Sequence, residues 1–328
     1  MPGWEEQLNR FEMIYPWGTA RRLNAYSDYF RKRFGQRVQK ITIDAGFSCP
    51  NRDGTCGRGG CTFCDNKAFK PSYNDPGKSI TQQIREGMNF HRVRYRKVDR
   101  FLAYFQAYSN TYGELKRIRE LCDEAISVPG IVGIVLGTRP DCVDEEKLDY
   151  FRELSGKVYV VVEYGIESLL DRTLRRVNRG HDVESTLWAI RETSGRGIRT
   201  GGHMMIGLPG ESRDDFLESA MQISQMPLDN IKYHQLQLIR GTPMAGEYRE
   251  KPGDFMQFTL NEYLHLMMEI VELLHPEQII ERIAGEVTPG MAIHPGWGIR
   301  YDAVIREFEE ILERYDSWQG KRYQPSTP

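Results

Sequence analysis

Four of the chain's six cysteines lie in the run Cys49-Pro-Asn-Arg-Asp-Gly-Thr-Cys56-Gly-Arg-Gly-Gly-Cys61-Thr-Phe-Cys64. In a reducing compartment, thiols gathered this closely on a Gly-rich loop are read as metal ligands or catalytic groups rather than disulfides. Spacing alone leaves two metal chemistries open. Four thiolates could close a tetrahedral zinc site, but such sites usually show two close pairs of ligands, and here Cys61 and Cys64 form one. If three bind, a [4Fe-4S] cube keeps one iron without a protein ligand, and that position is open to a small molecule.

The elements that must position this loop can be read from the chain. The β-branched run 40–45 precedes it, and further runs stand at 101–107, 131–136, 158–163, 199–206 and 231–238. Helix-start signals fall between them: Ser79-Ile-Thr-Gln82, Thr111-Tyr-Gly-Glu114, Asp144, Ser168-Leu-Leu-Asp171, Asp182, and Ser212 with Asp215. This alternation predicts parallel strands joined by right-handed crossovers. In an open sheet or a barrel alike, functional residues then gather at the strands' C-terminal ends. The expected organisation is an N-terminal extension over 1–40, an α/β core over 41–245, a mainly helical C-terminal extension over 246–318, and a disordered tail over 319–328. The C-terminal part carries a helix from Thr259-Leu-Asn-Glu262, a candidate seventh strand over 279–283 and a last helix over 301–315.

The 328 residues carry a net charge of −2, which singles out no partner. Basic clusters occur at Arg21 and Arg22, at Arg31 to Arg33 and at 91–97. No run of about 18 apolar residues exists, and the N-terminus lacks a basic region followed by an apolar core. A cytoplasmic protein with neither membrane span nor secretory signal is expected.

Cys61-Thr-Phe63-Cys64, with an earlier cysteine on a loop after the first strand, resembles the cluster motif of the radical S-adenosylmethionine (SAM) superfamily. The common spacing there is C-x3-C-x2-C, and this chain departs from it. Ile-Asp-Ala-Gly-Phe-Ser-Cys49 and Gly-Gly-Cys61-Thr-Phe-Cys64 look like the bacterial YhcC/YtqA-type branch, related to the elongator catalytic subunit, in which the first interval is longer. Phe-Gln106-Ala-Tyr-Ser, Gly137-Thr-Arg-Pro-Asp-Cys142, Val177-Asn-Arg-Gly-His-Asp182 and Ile206-Gly-Leu-Pro-Gly-Glu211 match that branch as well.

The resemblance implies a partial parallel (β/α)6 barrel, a [4Fe-4S] cluster on Cys49, Cys61 and Cys64, and SAM on the open iron. Cys56 would be a bystander or an alternative ligand. The reaction implied is reductive cleavage of SAM to a 5′-deoxyadenosyl radical, with modification of a tRNA base, a wobble-uridine side chain, as the leading substrate and flavodoxin or ferredoxin as the type of electron donor. Cofactor contacts would come from Phe63, Gln106 near the methionine amino group, Thr138 and Arg139 at the end of strand three, and Glu163 and Glu167 toward the ribose hydroxyls. Arg179 near the SAM carboxylate and Gly207 beside adenine complete that set. Tyr108, His234 and Gln235 are the substrate-contact candidates, joined by Tyr233 and Gln237 as polar groups on strand six. Two other readings are a radical SAM enzyme acting on a small molecule or protein, and a zinc-stabilised binding protein without radical chemistry.

Overall fold

Lys40 on the first strand and Glu281 on the last form an ion pair at 2.8 Å, and this contact explains the shape of the sheet. In a flat sheet of seven strands spaced about 4.8 Å apart, the two edges would lie about 29 Å from each other. The sheet is therefore curled strongly enough for its edge strands to meet across the interior. The structure is a computed structural model and describes residues 13–95, 98–288 and 290–325.

In chain order the elements are α1 (Tyr26–Phe34), β1 (Val38–Ile43), the short α2 (Pro50–Asp53), α3 (Ile80–Arg94), β2 (Arg100–Phe105), α4 (Leu115–Ser127), β3 (Ile131–Thr138), α5 (Glu145–Ser155), β4 (Tyr159–Glu167), α6 (Asp171–Arg176) and α7 (Val183–Gly195). They continue with β5 (Arg199–Ile206), α8 (Arg213–Ser224), β6 (Asn230–Gln235), β7 (Leu238–Ile239), α9 (Pro243–Glu250), α10 (Leu260–Leu273), β8 (Ile279–Arg282), β9 (Ala292–His294) and α11 (Tyr301–Arg314). Strands pair in the order β1-β2-β3-β4-β5-β6-β8, and β7 with β9 makes a separate two-stranded antiparallel ribbon. All six ladders of the main sheet are parallel. The expected six-stranded partial barrel is thus present, with the candidate strand at 279–283 added as a seventh.

Local signals explain most helix starts. Asp144 and Asp182 cap α5 and α7, and Ser212 with Asp215 and Thr259 with Glu262 form full capping boxes. Two starts differ from expectation because tertiary partners claim the hydroxyl. Thr111 Oγ1 bonds Thr138 Oγ1 at 2.6 Å and the Cys142 carbonyl at 2.7 Å, so α4 begins later, after an uncapped Glu114. Ser168 Oγ donates to Glu211 Oε1 at 2.5 Å, and α6 has no side-chain cap.

The disordered-tail expectation needs correction. Gln319 is 1% exposed, donates to the Gln278 carbonyl at 2.7 Å, and accepts from the Asn24 amide at 2.9 Å. It ties the end of the chain to the segment before α1, which itself bridges in parallel to Ile280 of β8. Positions 1–12 of the N-terminal extension, positions 96 and 97 of the basic run and the last three residues of the tail lie outside the described residues.

Candidate active site

The cysteine loop leaves β1 at its C-terminal end and is fixed from several sides. Cys49 is the N-cap of α2, and Asn51 in that helix is fully buried. The Asn51 amide donates to the Asn178 carbonyl and lies 3.7 Å from Cys61 Sγ. A Cβ on Gly57 would come within 1.9 Å of Asn51 Oδ1, so only glycine lets the loop close over this side chain. The Cys61–Cys64 turn is docked between two further segments: the Thr62 amide bonds the Val177 carbonyl, and the Met244 amide bonds the Thr62 carbonyl, both at 3.0 Å.

Beside the loop is a cavity of about 840 Å³ that runs from the strand ends into the barrel interior. Cys49, Cys61 and Cys64 lie on its wall. Cys56 does not. It is exposed, with Sγ 3.9 Å from both Asp141 Oδ2 and Arg139 Nη2. Burial, followed by the neighbouring Cys61, pushes the Cys64 thiol up to about 11, so a metal must displace a firmly held proton there. Cys122 and Cys142 are buried structural thiols, each pushed up to about 12 by burial. Among the described residues, no three His, Cys, Asp or Glu side chains converge as a single-ion site.

Arg179 lies directly over the loop. Its Nη1 is 3.5 Å from Cys61 Sγ, its Nη2 donates to the Gly165 carbonyl at 2.5 Å, and it pairs with Glu167 at 3.5 Å. Gly165 permits this approach, since a Cβ there would meet Nη2 at 2.5 Å. Glu167 ends β4 in a left-handed conformation, φ 66°, just past a register shift against β5. Arg179 Nε and Asn51 Oδ1 are buried polar atoms without hydrogen-bond partners among the described residues.

Of the other expected cofactor residues, Phe63, Gln106, Thr138 and Arg139 all reach the cavity wall. The Gln106 amide makes no side-chain hydrogen bond among the described residues, whereas the Thr138 hydroxyl is engaged by Thr111. Arg139 does make the forked pairing, but with Asp141 of its own turn, at 2.8 and 2.7 Å. Gly207 makes a turn with φ 96°, packs near Met256 and Phe258, and lies off the cavity wall.

Glu163, expected toward the ribose hydroxyls, lines the cavity and is engaged by the chain's own side chains. It is fully buried in the barrel interior, where it accepts from Lys40, from Lys232 Nζ at 2.6 Å and from His203 Nε2 at 3.0 Å. Despite its burial, Lys232 and Lys40 hold its carboxyl well below the usual carboxylate range.

Among the substrate-contact candidates, Tyr108 lies on the wall with the Arg52 guanidinium 5.4 Å from its ring centre. Gln235 reaches the wall but is occupied on both sides by the Gly285 backbone, at 3.0 and 2.8 Å. His234 faces the cavity, and burial holds its imidazole well below the usual histidine range, hence neutral. Tyr233 points the other way, into the apolar core. Sequence reasoning missed Lys40, Lys232, Glu281 and His203. A usable signal existed in Lys40 and Lys232, charged residues inside strands of a parallel sheet, but parity alone cannot say which face is the interior when both faces are covered.

Comparison with known proteins bears on family and fold. The profile of the Radical SAM superfamily matches residues 53–223, and that of the radical SAM C-terminal domain matches 228–314. YtqA of Bacillus subtilis (strain 168) is 33% identical over 93% of this chain and 94% of its own length. YhcC of Escherichia coli (strain K12) is 35% identical over 84% and 87%. The tRNA uridine(34) acetyltransferase of Methanocaldococcus infernus is 28% identical over 42% of this chain and 25% of its own. The solved structure of the archaeal Methanocaldococcus infernus Elp3 with an N-terminal deletion superposes with a TM-score of 0.65 over 87% of this chain and 64% of that one, at 15% identity, which speaks to fold alone.

Proposed function

The chain belongs to the radical SAM superfamily, and from that premise we propose that Cys49, Cys61 and Cys64 hold a [4Fe-4S] cluster and that the adjoining cavity takes S-adenosylmethionine. The observation that carries this reading is the sorting of the loop's four thiols, three onto the cavity wall and one away from it. The residues present fit such a group. Three ligands leave one iron open, the Gln106 amide is unengaged, and Arg179 offers a buried unpartnered N–H.

When bound, the cluster and SAM together supply the reductive cleavage of a carbon–sulfur bond. The rest falls to the chain's own side chains. Gln106 and Glu167, at the ends of β2 and β4, and Arg179, in the turn after α6, would orient the polar ends of the cofactor, and the buried wall keeps water out. Among the described residues no helix is long and apolar enough to cross a membrane.

For the substrate we read a tRNA base, a wobble-uridine side chain, with a flavodoxin- or ferredoxin-type protein as the donor of the electron to the cluster. Support comes from the archaeal relative whose name specifies tRNA uridine(34). It comes also from Arg31, Lys32 and Arg33, exposed basic residues in the last turn of α1 that suit phosphate contact. The test is a comparison of modified nucleosides in total tRNA from cells with and without the gene. One wobble uridine arrested at an earlier stage is expected in its absence, and identical profiles would overturn the tRNA reading.

A further inference from the structure

Below the strand ends the cavity wall is charged. Lys40 and Lys232 bridge Glu163 and Glu281, with Lys40 Nζ 2.8 Å from Glu281 and Lys232 Nζ 3.0 Å from it. Two lysines and two glutamates balance one another and need no histidine. Yet His203 joins them, its Nε2 3.0 Å from Glu163 Oε2. An ionised carboxylate can only accept, so Nε2 carries a proton, and in the neutral ring Nδ1 is then the acceptor nitrogen. Nδ1 has no hydrogen-bond partner among the described residues, and the ring lies on the cavity wall. His203 stands three positions before the last residue of β5 and pairs in register with Gly165 of β4, two positions before Glu167.

We infer that His203 is a general base for the substrate on the wall of the same cavity, and that Glu163 is its positioning residue. This rests on the radical SAM reading of the cavity. The step is a proton transfer without change of oxidation state: an X–H bond of the substrate breaks, its electron pair stays on X, and the proton passes to Nδ1. The imidazolium so formed is stabilised by the Glu163 carboxylate on the opposite nitrogen. The substrate class is a molecule carrying an acidic N–H, O–H or activated C–H that reaches the barrel interior. Other groups around the imidazole are the neutral His234, its ring centre 5.8 Å away, the Tyr104 hydroxyl beside Lys232, and Arg282 on β8.

Two measurements on the full chain test this. The first needs no substrate: diethyl pyrocarbonate acylates an unprotonated imidazole nitrogen, and mass spectrometry of the peptides locates the modified histidine. His203 should be modified in the wild type, and about tenfold more slowly in Glu163→Gln, where the ring loses its fixed tautomer. An unmodified His203, or equal rates in the two proteins, overturns the inference. The second uses cluster-loaded protein, SAM, a reductant and total tRNA from cells lacking the gene. His203→Gln should form 5′-deoxyadenosine to within about threefold of wild type, while nucleoside conversion falls by about 10²- to 10⁴-fold and the acidic limb of its pH profile disappears. Conversion within about threefold of wild type, with an unchanged profile, overturns the assignment. If the wild type forms 5′-deoxyadenosine but converts no nucleoside, the tRNA reading has failed, and the acylation result decides the base.

Discussion

Arg179 Nη1 lies 3.5 Å from Cys61 Sγ, making this thiol the one cavity cysteine with a cationic hydrogen-bond donor among the described residues. A charge-assisted donor fixes the direction of the sulfur it bonds, which is how groups around a metal orient its ligands. Arg179→Gln should weaken iron retention by about 10- to 100-fold, read as iron per chain under chelator challenge. Gly165→Ala should act in the same direction, because its Cβ would occupy the path of Nη2. Retention equal to wild type in both variants would remove Arg179 from the ligand environment.

Gly57→Ala tests whether the loop is held by close packing. The added Cβ would stand 1.9 Å from Oδ1 of the fully buried Asn51, so one of the two must move. Overpacking of this kind costs about 1–3 kcal/mol. Thermal unfolding should register that loss together with reduced iron uptake, and a variant with unchanged melting and uptake would show that the loop is pliable here.

The Lys40–Glu281 pair fastens the two edges of the sheet. Lys40→Met leaves the buried Glu163 and the part-buried Glu281 short of one cation; removing one partner of a fully buried pair typically costs about 3–5 kcal/mol, an upper value for the part-buried Lys40. A double-mutant cycle with Glu281→Gln should give a coupling well outside the additive range. Additive losses would mean that the edge-to-edge contact contributes nothing of its own.

Glu211 predicts a pH dependence. Burial pushes its carboxyl up to about 7, against hydrogen bonds from Ser168 and Thr173. From about pH 4.3 to 7 the folded chain keeps a proton that the unfolded chain has released. This group's contribution is therefore full below about pH 4.3 and is lost as pH rises to 7, a change on the order of 3 kcal/mol. Glu163, held low, contributes in the opposite sense and in a lower window, losing its contribution as pH falls below about 4.3. Denaturant melts between pH 5 and 8 should show the decline in the wild type and flatten it in Glu211→Gln, and parallel curves would refute the assignment.

The strands, their parallel order and most helix caps were legible because β-branched runs and Ser/Asp caps are local signals. Thr111 and Ser168 misled because their hydroxyls serve partners 27 and 43 residues away rather than their own helices. The three cysteines found on the cavity wall are singled out by the family resemblance, since spacing alone leaves zinc and iron–sulfur chemistry open. The interior charge network could not, because Lys40 and Glu281 are separated by 241 residues and meet only when the sheet curls. Strand six carried the same ambiguity: Lys232 and His234 face the cavity while Tyr233 between them faces the core, and a strand covered on both sides hides its parity.

The most direct test of the ligand assignment is anaerobic reconstitution with iron and sulfide of the wild type, of Cys49→Ala, Cys61→Ala and Cys64→Ala, and of Cys56→Ala. The account predicts the absorbance and, after reduction, the paramagnetic signal of a [4Fe-4S] cluster in the wild type and in Cys56→Ala, with loss of both in the other three. Retention of the cluster in Cys49→Ala together with its loss in Cys56→Ala, or stoichiometric zinc in place of iron, would contradict it.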